Sequence, residues 1–264
     1  MSIDRKTPTR TVKPRKWTAL TAAGLIAVQP VIAQVVFTTP SHAAESGEAG
    51  EAGIEMSEGP SAFLTRLGYF EGTYRIAAEL YLIGERDGAR AHLEESHHAF
   101  YEDIEDALVK YAAPGFSEEA AAFLKAISED AANDEVSARL AVLLTAMAGT
   151  ADAAQASAYD RLLSIRELVA LAAAEYEGGV DEGRVELAIE YRDSWGFLAV
   201  AKIRALSMME GEDEVLAKAG GEVLEQLEGT VALYPGLTAT EAAKDASQLA
   251  VAAGWIEIIA LRQR

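Results

Sequence analysis

Three of the four histidines, His92, His97 and His98, lie in one short acidic segment of the 264-residue chain. In a helix, residues three or four positions apart share a face. The set that follows this spacing is His92, Glu95, His98, Glu102 and Glu105. Imidazole and carboxylate groups so placed can chelate one cation, and without thiolates they suit iron, manganese, zinc or copper(II). The segment therefore predicts a metal site.

A second interpretation of the segment needs no metal. The apolar face of the predicted helix carries Leu93, Phe100 and Ile104, and the histidine-acid face points nearly the opposite way. A charged helix face is usually a solvated one. His97 points to the border of the apolar face, where it is either a ligand or base, or a histidine satisfied within the core. Both interpretations stay open here.

A shift of 95 positions brings the two halves of the chain into register. The matched pairs include Tyr81 with Tyr176, Gly84 with Gly179, Gly88 with Gly183 and Glu95 with Glu190. Glycine and aromatic matches favour an ancestral duplication with a pseudo-twofold axis over chance similarity between alanine-rich helices. A metal site on that axis would use Glu95, His98, Glu190 and Asp193. The predicted metal ligands are thus His92, Glu95, His98, Glu102, Glu190 and Asp193.

The rest of the sequence gives no sign of catalysis. With zero cysteines, disulfides, thiolate metal sites and cysteine nucleophiles are excluded. No Ser-His-acid order, dinucleotide-binding glycine motif, phosphate-binding loop or His-Glu-x-x-His motif is present. We therefore expect a protein that is not an enzyme.

From residue 61 onward, apolar residues recur with the period of an α-helix. Predicted helices cover 61–83, 87–111, 117–132, 134–148, 152–177, 181–209, 213–229 and 238–261. No stretch of the sequence alternates apolar and polar residues in the way that a β-strand next to a hairpin turn does. The sequence predicts an all-α fold, an eight-helix bundle made from a duplicated four-helix unit, with half-repeats at about 61–150 and 155–264.

The segment between residues 176 and 197 also has two interpretations. Its acids could hold a cation, or they could belong to a plain helix hairpin in which Asp181 caps the second helix. Trp195 and Phe197 are expected in the core, and Gly196 between them would let another helix approach closely.

The N-terminus has the order of a secretory signal peptide. Six basic residues precede an apolar stretch from Thr18 to Phe37, and Ser41-His42-Ala43 offers a cleavage site. We predict a signal peptide at 1–43, cleaved after Ala43 or Ala33, and a flexible acidic linker at 44–60. An uncleaved membrane anchor is the alternative. The protein is then expected in the periplasm or outside the cell.

Removing the leader makes the chain more acidic. Residues 1–43 hold six of the 23 Lys and Arg residues and one of the 42 acids, so the remainder has 17 basic and 41 acidic residues, a formal net charge of −24. Such a field repels nucleic acid and anionic lipid and attracts cations or basic partners. No second apolar run is long enough for a membrane span.

A family resemblance is carried by the second half of the chain. Its residues are Glu175-Tyr176-Glu177-Gly178-Gly179-Val180, Gly183-Arg184-Val185, Glu190-Tyr191 and Gly196-Phe197. This pattern resembles the helical extracytoplasmic domain associated with bacterial high-affinity iron permeases. The resemblance implies a periplasmic helical protein that assists metal uptake, with carboxylates and histidines as ligands and a membrane iron permease as a partner.

The permeases themselves carry an Arg-Glu-Gly-x-Glu motif in their membrane spans. The nearest match, Phe70-Glu71-Gly72-Thr73-Tyr74, lacks the arginine and the second acid, so the resemblance implies an accessory protein. Imelysin-like exported helical proteins are a weaker resemblance, through a His-x-x-Glu motif at His92 and Glu95.

Two functional hypotheses follow. The first is an exported soluble binding protein for iron or another divalent or trivalent cation, accessory to metal uptake. The second is an acidic interaction module that docks a basic protein partner and binds no metal.

Overall fold

The computed structural model describes residues 59–96, 98 and 101–264, without the side chain of Glu102. The predicted signal peptide at 1–43, most of the predicted linker and His97 lie outside the described residues. The α-helices are α1 Pro60–Leu82, α2 Arg86–Glu95, α3 Glu102–Tyr111, α4 Ser117–Ser128, α5 Asn133–Asp152, α6 Ala158–Gly179, α7 Ala188–Met209, α8 Glu214–Leu227 and α9 Ser247–Leu261. A 3₁₀ helix at Glu228–Leu233 extends α8. The prediction of an all-α fold is confirmed.

Three long helices form the centre of the described part. α1 packs against α6 and α7, and α6 and α7 pack against each other. Helices α2 to α5 lie on the side of α1, whereas α8 and α9 cover α7 and α6. No helix within the described ranges is both long enough and apolar enough to cross a membrane.

Buried apolar side chains form two clusters that divide along the sequence. The first cluster runs from Phe63 to Ala154 and adds only Leu237 from the second half. The second cluster runs from Leu162 to Ala260. This division follows the predicted half-repeats at 61–150 and 155–264, while the duplication itself stays a prediction.

Two glycines let α1 and α7 approach each other closely. A Cβ atom on Gly196 would lie 2.9 Å from Cγ1 of Ile76 and 3.1 Å from the carbonyl oxygen of Gly72. Phe197 beside it is fully buried, and Trp195 packs against the first cluster. The predicted role of Gly196 in helix contact therefore agrees with the structure.

The predicted helix at 87–111 is wrong, because the chain forms two helices there. Ser96 ends α2 with extended backbone angles of φ −67° and ψ 126°, and α3 begins only at Glu102. The Ser96 hydroxyl is buried and lies 3.3 Å from the hydroxyl of Thr73 on α1. This contact with α1 replaces the continuation of the helix, so residues 92 to 105 do not share one helix face.

The predicted helix start at Asp181 is also wrong. Strands β1 (Val180–Asp181) and β2 (Arg184–Val185) form a short antiparallel hairpin between α6 and α7. Glu182 and Gly183 have φ values of 50° and 83°, and two positive φ angles are what a tight type I′ turn requires.

The last helix begins at Ser247 rather than at 238, because the preceding residues lie along the hairpin. The N–H of Val185 donates to the carbonyl of Thr240, and the N–H of Ala242 donates to that of Gly183. These bonds hold the segment in an extended path that a helix could not follow.

Candidate metal centre

One imidazole and two carboxylates meet where α6 and α7 pack beside the junction of α2 and α3. His98 lies in that junction, Glu175 near the end of α6 and Asp193 in the second turn of α7. One ligand atom from each lies within 4.8 Å of the other two. The Nε2 atom of His98 is 3.5 Å from Oε1 of Glu175 and 3.7 Å from Oδ2 of Asp193.

These separations suit ligands that share one ion. Donor atoms at about 2.0–2.2 Å from a transition metal lie roughly 3–3.5 Å from one another. The three atoms therefore need little movement to close around a cation. Glu175 and Asp193 are 3% and 2% exposed, so the cation would lie inside the protein.

His92 adds a second imidazole to the cluster. It is 1% exposed, and its Nε2 atom lies 3.4 Å from Oδ1 of Asp193. Within the part of the chain that the structure describes, neither ring nitrogen of His92 nor Oδ1 of Asp193 has a hydrogen-bond partner. Burying polar atoms without partners costs about 1–3 kcal/mol for each group. A cation coordinated here would offset that cost, so the residues present fit a metal.

Glu190 lies one turn before Asp193 on α7. Burial raises the pKa of Glu190, the like charge of Asp193 raises it further, and His98 acts in the opposite direction. A side chain at Gly178 would collide with the Glu190 carboxylate, so the absence of one makes room for this acid. Glu190 thus contributes a third carboxylate beside the cluster.

Aromatic rings and one hydroxyl hold His98 in place. The ring of Phe197 meets the imidazole edge-on at 4.9 Å between centroids, and Tyr69 lies 5.6 Å away. The His98 N–H donates to the hydroxyl oxygen of Ser96 at 3.4 Å. This packing limits access of water and keeps the imidazole facing the two acids.

The structure brings together four of the six residues that the sequence predicted as ligands. These are His92, His98, Glu190 and Asp193. Glu95 has an exposed side chain and is not in the close group of ligand atoms, and its charge acts on Arg192. The side chain of Glu102 lies outside the described part of the structure.

Glu175 is the member of the cluster that the predicted ligand set lacked. It follows Leu168 by seven positions and Leu171 by four, so it lies on the apolar stripe of α6. An ionisable residue on such a stripe is seldom buried without a partner. That position is the signal by which the sequence could have pointed to it.

The ligand set favours particular ions. Carboxylate oxygens with one or two imidazole nitrogens, and no sulfur, suit iron, manganese or zinc better than soft metals. Two or three acids would also neutralise the charge of a divalent or trivalent ion.

Residues 151–259 match the family model of the iron permease-associated 4-helix bundle domain. The resemblance to iron-permease-associated helical domains is confirmed for this segment. It covers less than half of the chain and takes in α6, α7, α8 and nearly all of α9. Glu175, Glu190 and Asp193 fall inside the matched region, whereas His92 and His98 fall outside it. No curated protein sequence and no solved structure matches the chain.

Proposed function

We propose that this protein binds iron, or another divalent or trivalent cation, between His98, Glu175 and Asp193, and that it serves a membrane iron permease as an exported accessory protein. The observation that carries the proposal is the buried pair of His92 and Asp193. Both have polar atoms without hydrogen-bond partners in the described part of the chain, beside two further potential ligands.

The cargo is proposed as iron for two reasons. The ligand atoms are carboxylate oxygens and imidazole nitrogens, which iron accepts in either common oxidation state. The segment that supplies the carboxylates is similar to a domain described as iron permease-associated. The ion is cargo in this proposal, and the protein carries out no reaction on it and is not an enzyme.

The proposed location rests on the N-terminal sequence. Its basic residues, apolar stretch and small-residue cleavage site are typical of export. After cleavage, the formal charge of −24 would raise the local concentration of cations around the protein. A periplasmic or secreted protein of this kind could collect a metal and present it to a permease.

We also infer that the two halves arose by duplication. Tyr81 and Tyr176, which the 95-residue shift matches, lie in the last turn of the first long helix of their halves. The hydroxyl of Tyr81 donates to the carbonyl of Ala131, and that of Tyr176 donates to Leu233, so each tyrosine binds a carbonyl within its own half. The proposed site then takes its imidazoles from the first half and its carboxylates from the second.

Metal titration of purified, metal-free protein tests the proposal. Iron is added, bound metal per chain is measured by mass spectrometry, and affinity is measured by calorimetry. We expect one ion per chain, and an affinity lower by at least about 10- to 100-fold in His98→Ala and in Asp193→Asn, because loss of a direct ligand costs no less than loss of a residue that orients one. Glu95→Ala is the matched control, because its side chain is exposed and is not in the close group of ligand atoms.

The result also decides between the two functional hypotheses. Failure of the wild-type protein to retain iron, manganese or zinc would refute the metal proposal and leave the acidic interaction module. Equal metal affinity in the wild-type protein and His98→Ala would show that the cluster is not the binding site.

A further inference from the structure

A cleft of about 340 Å³ lies between α1, α5, α6 and α7. Its apolar wall includes Leu67, Met147 and Met208, which are all buried. None of its lining residues belongs to the candidate metal centre. The volume is at the small end of the range of about 300–1,000 Å³ that is usual for small-molecule pockets.

The charged residues in the lining carry a net positive charge. Three arginines, Arg75, Arg161 and Arg204, face two acids, Glu71 and Asp152. This balance is opposite to that of the whole chain, whose formal net charge is −19. A positive cleft in so acidic a protein favours an anionic occupant.

Arg204 is the least exposed side chain among the cleft arginines whose ion pairs are described, and no carboxylate of the described residues lies within hydrogen-bond distance of it. Its side chain is 18% exposed, and its ion pair with Oε2 of Glu71 is 4.0 Å long. Burial lowers the pKa of Arg204, and Glu71 offsets this only in part. The guanidinium otherwise donates to the hydroxyl oxygen of Ser164 at a long 3.4 Å.

The Glu71 carboxylate lies 4.0 Å from Arg204 because Arg75 binds it at a shorter distance. Oε1 of Glu71 accepts hydrogen bonds from Nε and Nη2 of Arg75, at 2.9 and 2.7 Å. A largely buried guanidinium without a carboxylate at hydrogen-bond distance is unfavourable, and a bidentate carboxylate is its best partner.

Arg161 lies at the exposed side of the same cleft. Its Nε–H donates to the carbonyl oxygen of Ala156 at 3.2 Å. Throughout the described ranges, Arg161 forms no ion pair with an acid. Its terminal nitrogens can therefore support an anion that reaches Arg204.

We propose that this cleft binds a small organic carboxylate with an apolar body. The carboxylate pairs with Arg204 and is supported by Arg161, and the hydrocarbon lies against Leu67, Met147 and Met208. A purely inorganic anion would leave the apolar wall uncovered, and a neutral apolar molecule would leave Arg204 without a carboxylate at hydrogen-bond distance.

Calorimetry of the metal-free full chain with octanoate tests the proposal, with octanamide as the neutral analogue. We expect octanoate to bind at least about tenfold more tightly than octanamide. Arg204→Gln should weaken octanoate binding by about tenfold or more. Arg139→Gln, a change on the exposed face of α5, should leave it unchanged.

A second variant covers the case in which Arg204→Gln fails to fold. Ala148 is exposed and lines the cleft, so Ala148→Trp should fill the space, keep every charge and abolish octanoate binding. The proposal is overturned if octanoate and octanamide bind equally, if neither binds, or if inorganic phosphate binds as tightly as octanoate. Octanoate binding that survives Ala148→Trp would also overturn it.

Discussion

Two residues of the candidate metal centre have buried polar atoms that make the metal-free protein less stable. His92 and Asp193 are almost fully buried, yet each has at least one polar atom without a hydrogen-bond partner among the described residues. Evolution toward stability alone would replace such groups by apolar ones or give them partners. A residue kept in this state is most simply explained by a ligand that the folded protein receives later.

Replacing His92 by leucine should change the stability of the protein and its iron binding in opposite directions. In the metal-free protein, His92→Leu should raise the free energy of unfolding by about 1 kcal/mol, because it removes two buried nitrogens that lack partners. The same change should weaken iron binding. Chemical denaturation and calorimetry measure the two effects.

The matched control for this change is Ser194→Ala. The Ser194 hydroxyl is also buried, but it donates to the carbonyl of Ala172, so its loss should destabilise the protein. A His92→Leu protein that is less stable than the wild type and binds iron equally well would refute the proposed role of His92.

At the level of residues, the sequence indicated most members of the cluster but not how they are arranged. The concentration of histidines among acids pointed to His92 and His98, the 95-residue shift pointed to Asp193, and the structure places these three side chains together. Glu175 was missed because its matched position is Leu80, which gives no sign of a ligand. Contacts between helices that are distant in sequence decide which acids face an imidazole, and helical periodicity carries no information about them.

At the level of elements, the break between α2 and α3 determines what His98 can reach. In the continuous helix that the sequence predicted, His98 would share a face with Glu95. The break at Ser96 turns the chain so that His98 faces α6 and α7 instead. Periodicity does not reveal this break, because it depends on the buried contact between Ser96 and Thr73 of α1.

Long helices were predicted more accurately than their ends. α1 was predicted at 61–83 and spans Pro60–Leu82, because a long apolar period determines it. The start of α7 was predicted seven residues early, at 181 instead of Ala188. The hairpin before it is stabilised by pairing with residues 240 to 242, which no local signal shows.

The close contact of α1 and α7 can be tested by adding a methyl group at Gly196. Gly196→Ala should destabilise the protein by about 1–3 kcal/mol, because the added methyl group meets Ile76 and the backbone of Gly72. It should also weaken iron binding, since it moves the helix that carries Asp193. Thermal unfolding and metal titration measure both effects.

Gly254→Ala on α9 is the control, because nothing lies within 4 Å of the added atom. It should stabilise the protein by about 0.5–1 kcal/mol and leave iron binding unchanged. Equal stability in the Gly196→Ala and Gly254→Ala proteins would show that α1 and α7 are not in close contact there.

At the level of the whole molecule, the proposed site joins two parts of the chain that have separate apolar clusters. His92 and His98 belong to the part around α1 to α5, and Glu175 and Asp193 belong to the part around α6 to α9. An ion held between them would link the two parts. The family similarity covers only the second part, so the imidazoles would be the contribution of the first.

The proposed function depends on iron bound at this junction. Crystals of the iron-loaded protein, with diffraction data collected on both sides of the iron absorption edge, would locate the ion. We expect one strong anomalous peak bounded by Nε2 of His98 and the carboxylates of Glu175 and Asp193. Iron-loaded crystals with no peak at that position, and with peaks only beside exposed acids, would refute the proposal.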